Sequence, residues 1–216
     1  MSSATEIERS QAVLDVTAHY RRRERALSAL VVVLVVSLFL GTYLATSLLP
    51  AIGVGALSLV STRAPLFKSS GTARLRTDRH PETVVAEFSS ATPPTLALQW
   101  GVADAITTEA GVTTYAISSL FGLHSVEMVV DTHTNATPDG AQLIESVVTV
   151  DDRPWGTYTS TISRENGQTI IEVDYTSNRR FDLRYLPQVL LASRYRDDVL
   201  AVQGYTVVAR DTRISV

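Results

Sequence analysis

Between Ala26 and Thr62 the chain carries no Asp, Glu, Lys, Arg, His, Asn or Gln. Nothing else in the sequence restricts the fold as strongly, because an uninterrupted apolar run of 18 or more residues meets the length needed to cross a bilayer. The polar groups inside it are Ser, Thr and Tyr hydroxyls, which can bond to backbone carbonyls of their own helix. Its first part, Ala26 to Leu49, reaches roughly 36 Å at about 1.5 Å per residue, enough for one span with some tilt. Pro50, Gly53 and Gly55 then mark a break. Ala51 to Thr62 is short for a second crossing, even if Arg63 snorkels and the segment runs on to Phe67. Two arrangements follow: a tight helical hairpin, or one span and an interfacial segment.

The flanks favour the hairpin. Arg21, Arg22, Arg23 and Arg25 precede the run, and Arg63 and Lys68 follow it. A hairpin puts both basic flanks on the cytoplasmic side, whereas a single span sets them against each other. A cleaved leader is disfavoured, since some 25 residues come before an apolar run much longer than a leader's. The expected organisation is a juxtamembrane helical segment (1–25), a membrane segment (26–67) and a soluble domain (68–216) at the cell membrane, facing the cytoplasm.

Charge divides the same way. The net charge of -3 averages a balance of +5 over residues 1–79 and of -8 over the remainder. The basic part suits anionic lipid surfaces, so membrane lipids are expected partners, and the acidic part argues against nucleic acid. The absence of cysteine excludes a disulfide scaffold, a Cys-ligated zinc site and a thiol nucleophile. Basic residues are 18 Arg and one Lys in an Ala-, Val- and Thr-rich chain, a bias expected of a GC-rich genome and of a salt-loving organism.

Beyond a short polar linker at Lys68 to Gly71, Thr72 to Thr77 predicts a strand. Pro81 opens a short helix with Val84, Val85 and Phe88 on one face, and Pro93-Pro94 ends it. From Val102 to Thr176 turn signals separate successive antiparallel strands. A two-residue Asn166-Gly167 turn sets Glu165 against Gln168, Ile162 against Ile171, Ser160 against Val173 and Tyr158 against Tyr175. A three-residue Pro-Asp-Gly loop (138–140) sets Thr134 against Ile144, Val130 against Val148 and Met128 against Val150, with His133 opposite Glu145 outside. By the same alternation Trp155 falls on the outer face. A helix is expected from Asp182 to Gln203, with Leu183, Leu186, Leu190 and Leu200 on one side and Gly204 as its stop, then a last strand from Tyr205 to Arg210.

Two segments carry a family resemblance: Ala73 to Ser90 (ARLRTDRHPETVVAEFSS) and Leu183 to Arg210 (LRYLPQVLLASRYRDDVLAVQGYTVVAR). With the strands between them they resemble the START-like helix-grip superfamily, also called SRPBCC, which includes polyketide cyclases and lipid-transfer domains. The resemblance covers residues 70 to 210 and rests on element order. It implies an α+β domain in which a curved antiparallel sheet wraps a long C-terminal helix over an apolar cavity. It carries over no catalytic residue, because the family shares the cavity rather than a set of reacting groups.

No nucleotide loop, metal motif or nucleophile elbow is present, so no cofactor, metal or catalytic residue is assigned. His124 and His133 have opposite parity on one strand and cannot share a metal there. Four polar groups fall on the inferred inner faces and are the candidate cavity lining: His124, Tyr158, Tyr175 and Asp197. They could orient a mostly apolar ligand, yet each also reads as an ordinary structural residue, a rim tyrosine or an Asp held by a neighbouring Arg. Three functions follow: a membrane-anchored, non-catalytic module binding a lipid-like or other apolar small molecule; a cyclase- or hydratase-like enzyme using Asp197 or His124 as acid or base; and a structural membrane protein. Cavity volume and lining discriminate among them.

Overall fold

The computed structural model describes residues 9–119, 124–137, 140–182 and 186–215. It begins with one continuous helix, α1 (Gln11–Ala45), followed by α2 (Leu48–Arg63). The break lies at Thr46-Ser47 rather than at Pro50, which sits in the first turn of α2, where a missing N–H costs nothing. α1 is long and apolar enough to cross a membrane. It and α2 pack side by side as an antiparallel hairpin through small residues: Ala51 is fully buried, and a Cβ on Gly55 would lie 3.2 Å from the Phe39 ring. Hydroxyls along it bond backward within their own helices, Thr42 Oγ1 to the Leu38 carbonyl and Ser58 Oγ to that of Val54, each at 2.8 Å.

The first turns of α1 belong to the domain that follows. Val13 and Thr17 are fully buried, and with Tyr20 they repeat at the four- and three-residue steps of one helix face. The segment read as juxtamembrane therefore packs onto the domain that follows.

That fold is an antiparallel sheet with its helices on one side. The strands are β1 (Pro65–Thr77), β2 (Ala105–Glu109), β3 (Val112–Ser119), β4 (His124–Ala136), β5 (Gln142–Val150), β6 (Arg153–Glu165), β7 (Gln168–Ser177), β8 (Phe181–Asp182) and β9 (Thr206–Ser215). They run in the order β2-β3-β4-β5-β6-β7-β1, and the far edge of β1 pairs with β8 and then β9. The helices are α3 (Pro81–Phe88), α4 (Ala97–Val102) and α5 (Leu186–Val202), with a 3-10 turn at Pro94–Leu96. This is the helix-grip arrangement expected from the element order. Here α1 lies against α5 and α4 as an added cover.

Turn chemistry sets the register. Asn166 and Gly167 take φ of 50° and 83°, the left-handed pair of a two-residue hairpin turn, and all four expected β6–β7 pairs form. The β4–β5 pairs also form as expected, His133 opposite Glu145 included. Three expectations change. Lys68 to Gly71 is not a linker but part of β1, held between β7 and β9. Trp155 does not face outward: Val148 pairs with Gly156 and Thr149 with Pro154, so Trp155 is the extra residue of a bulge in β6, which resets the alternation and turns the indole inward. α5 starts at Leu186, with Asp182 in β8 instead; Leu183 and the side chains of Leu186 and Leu190 lie outside the described residues. The buried stripe of α5 is Ala192, Tyr195, Val199 and Leu200.

Candidate functional site

The space between sheet and helices is filled around Leu75, Phe88, Leu96, Trp100, Tyr115, Ile144, Ile162 and Ile171, and open elsewhere. The opening is a cavity of about 440 Å³, within the range of small-molecule sites. Its apolar wall comes from Leu98, Val102, Ile117, Trp155, Phe181, Val189 and Ala192. Its polar groups are Tyr20, Arg21, Glu24, Gln99, Ser118, Ser177, Arg179 and Arg196. An adjoining recess of about 70 Å³ shares Ser69, Leu98, Tyr175 and Arg196 with it and adds Tyr158, Val173, Val199, Leu200, Arg210 and Asp211. The expected apolar cavity is therefore mixed, with Arg21, Arg179 and Arg196 in its wall and Arg210 in the adjoining recess.

Tyr158 and Tyr175 meet as the hairpin register requires, ring centroids 4.7 Å apart, with Trp155 stacked on Tyr158 at 6.3 Å and tilted against Tyr175 at 6.2 Å. The Tyr158 hydroxyl is buried and has no hydrogen-bond partner among the described residues. Burial pushes its pKa above the ordinary phenol value, so it stays a donor at neutral pH. His124 pairs with Ser119 at the end of β4, and its side chain lies outside the described residues. Asp197 is not among the described residues lining either space. It turns toward β9, where its Oδ1 lies 2.7 Å from Arg210 Nη2 as an ion pair without hydrogen-bond alignment. Arg210 Nε is buried without a partner among the described residues, and burial lowers the Arg210 pKa against the opposing pull of Asp197.

The residues missed in the sequence are arginines. Arg196 occupies the buried side of α5, four residues after Ala192 and four before Leu200, a spacing that could have placed it inside. Its guanidinium lies 5.9 Å from the Tyr175 ring centroid and has no carboxylate partner among the described residues. Arg21 donates from Nη2 to the Ser118 carbonyl at 2.8 Å and lines the mouth. Of the other flanking cations, Arg23 lies over the Tyr195 ring, Arg22 and Arg25 line a further space of about 440 Å³ beside Gly101, Lys68 is exposed on β1, and the Arg63 side chain lies outside the described residues. Glu24 is raised above the ordinary carboxylate range by burial, opposed by Arg21 and Arg25. Among the described residues no three His, Asp or Glu side chains gather as a metal site.

No protein-family model matches the sequence, and no curated protein matches it. Solved structures similar in fold include the Mll3558 protein of Rhizobium loti (14% identity, TM-score 0.41, 63% of this chain and 98% of that one). A START superfamily protein from Mycobacterium smegmatis also matches (12% identity, TM-score 0.41, 63% and 97%), as does Ara h 8.0201 (9% identity, TM-score 0.37, 61% and 97%).

Proposed function

We propose that the chain is a membrane-anchored, non-catalytic binding module for a lipid-like molecule, with α1 and α2 as a hairpin anchor and the domain on the cytoplasmic side. The observation that carries this reading is the position of the cavity mouth. Tyr20, Arg21 and Glu24 line it, and Glu24 lies two residues before the uncharged run begins, about 3 Å along the helix axis. A molecule leaving the bilayer interface meets the opening before it meets bulk water. The anchor reading gains from the same helix: Val13 and Thr17 are core residues and Arg21 holds the β3 carbonyl, so cleavage beyond the apolar run would remove part of the fold. The basic flanks support the hairpin topology.

The test is purification of the full chain in nanodiscs from a lipid-rich membrane, followed by mass spectrometry of bound lipid against empty nanodiscs. A lipid enriched in stoichiometric amount is expected, and Ala192→Trp, which fills the cavity from α5, should abolish the enrichment. Equal lipid content with and without the protein would refute the proposal.

A further inference from the structure

Thr17, Ala18, Arg21, Arg22 and Arg25 share one face of α1 by their three- and four-residue steps, and with Gly101 of α4 they line the space of about 440 Å³ beside that glycine. Its described lining comes from α1 and α4 alone, with no strand, so a ligand here is not a ligand of the cavity between sheet and helices. The wall is fixed from below: Thr17 Oγ1 donates to the Gly101 carbonyl at 3.1 Å, and Arg21 Nη2 to the Ser118 carbonyl at 2.8 Å. Arg22 and Arg25 are exposed, and neither has a hydrogen-bond or ion-pair partner among the described residues. The carboxylates nearby, Glu24 and Asp104, are not among the residues that line this space. The remaining arginines of this segment are used by the fold: Arg9 donates to the Ala103 carbonyl, and Arg23 lies over the Tyr195 ring. Like charges three and four residues apart destabilise a helix, so the three guanidinium groups gathered on this face call for an anion from outside the chain.

We propose that this space is a headgroup site for one anionic phospholipid of the leaflet around α1, its phosphate held by Arg21, Arg22 and Arg25. The proposal rests on α1 as a membrane anchor, and not on what the cavity holds. Depth selects a lipid over a soluble anion. Arg25 directly precedes the uncharged run, and Arg21 lies about 6 Å further along the axis toward the domain. The headgroup layer on each side of a bilayer is about 5–8 Å thick, so the three arginines span it. Guanidinium groups bind phosphate through paired, charge-assisted hydrogen bonds. A choline headgroup would bring its own cation against the third guanidinium, which favours a lipid of net negative charge. The acyl chains then lie along the exposed apolar flank of α1 beyond Ala26.

The test reconstitutes the full chain in phosphatidylcholine nanodiscs containing a minor share of phosphatidylglycerol, transfers it to a neutral detergent, and counts retained lipids by native mass spectrometry. Phosphatidylglycerol is expected to be enriched at least about fivefold over its share of the bilayer. Arg22→Gln and Arg25→Gln should each cut the enrichment severalfold. Arg23→Gln removes the same charge at the same depth from another face and should leave it unchanged. Ala18→Phe fills the space without altering charge and should abolish it, whereas Ala192→Trp, which fills the cavity, should not. Equal losses in Arg22→Gln and Arg23→Gln would overturn the site in favour of a diffuse basic belt, as would enrichment that survives Ala18→Phe. Enrichment lost in Ala192→Trp alone would place the lipid in the cavity and overturn the site as well. Displacement of the retained lipid by an equal concentration of glycerol 3-phosphate would make the ligand a soluble phosphate. Release of the chain from membranes by alkaline carbonate would remove the anchor on which the proposal rests; a carbonate-resistant chain without enrichment would overturn the headgroup site alone.

Discussion

Two regions between the sheet and its helices treat their aromatic polar groups in opposite ways. Around Trp100 and Tyr115 every such group is paired: Trp100 Nε1 donates to the Pro93 carbonyl at 3.0 Å and Tyr115 Oη to that of Ala91 at 2.9 Å. Nearby, Tyr205 Oη donates to Glu87, which Arg79 also holds at 2.6 Å. Around Trp155 and Tyr158 the rings stack on one another, but the Tyr158 hydroxyl has no partner among the described residues and Arg196 no counter-ion there. The two regions are built from the same residue types, and Tyr115 and Tyr158 are both buried. What separates them is whether the protein supplies the acceptors, and the region that does not is the one with space for something else.

The largest way to break this comparison is to remove an indole from each region. Trp100→Ala empties a fully buried site and should cost about 3–5 kcal/mol, enough to unfold the domain near physiological temperature. Trp155→Ala removes a partly exposed wall of an existing cavity and should cost about 1–2 kcal/mol. Chemical denaturation of both variants measures the gap, and equal losses would mean that the cavity region is as tightly packed as the core.

A smaller effect tests whether the start of α1 is part of the domain. A Cβ on Gly101 would lie 2.4 Å from Thr17 Cγ2, so Gly101→Val forces α1 and α4 apart. Overpacking of this kind costs about 1–3 kcal/mol. Loss of the Thr17 Oγ1 to Gly101 carbonyl bond and faster proteolysis before Arg25 should accompany it. An unchanged melting temperature would show that α1 merely rests on the surface.

How much of this was legible in the sequence follows the range of the forces involved. The β6–β7 and β4–β5 registers were readable because a two- or three-residue turn and the alternation of side chains are local. Lys68 to Gly71 looked like a linker because Ser69, Ser70 and Gly71 have little strand preference; their conformation is imposed by β7 and β9, which come from more than a hundred residues away. A Cβ on Gly71 would lie 2.5 Å from the Asp211 carbonyl oxygen, so the glycine permits that close pairing, a reason no local pattern reveals. Trp155 escapes the alternation because it is the extra residue of a bulge, which is defined only by the pairing of Pro154 and Gly156 with the neighbouring strand. For the site, the tyrosine pair followed from register. Arg196 did not, because an arginine on an apolar helix stripe reads as a residue that snorkels to solvent.

Asp104, bonded to the cavity-lining Ser118, offers a weaker, pH-dependent contrast. The hydroxyl and the backbone N–H of Ser118 hold the Asp104 carboxyl below the ordinary range, the latter bond at 2.7 Å, and Arg21 and Arg9 add to the effect. A depressed carboxylate stabilises the fold fully above its unfolded pKa of about 4 and loses that contribution as pH falls through the folded value. Asp104 is mostly exposed, so the effect is small. Asp104→Asn should flatten the acid limb of the melting temperature against pH, and an unaltered limb would exclude the group.

The smallest expected change in stability is also the sharpest. Tyr115→Phe and Tyr158→Phe delete the same atom from two buried rings. The first breaks a satisfied bond and should cost about 0.5–1.5 kcal/mol. The second removes a donor that is desolvated and unpaired in the empty protein, so it should fall within about 0.5 kcal/mol of the parent or slightly above it. Denaturation of each variant therefore separates a hydroxyl that the fold satisfies from one that it leaves unpaired. A Tyr158→Phe cost equal to that of Tyr115→Phe in the empty protein would mean the recess is already satisfied by ordered water and holds nothing in reserve.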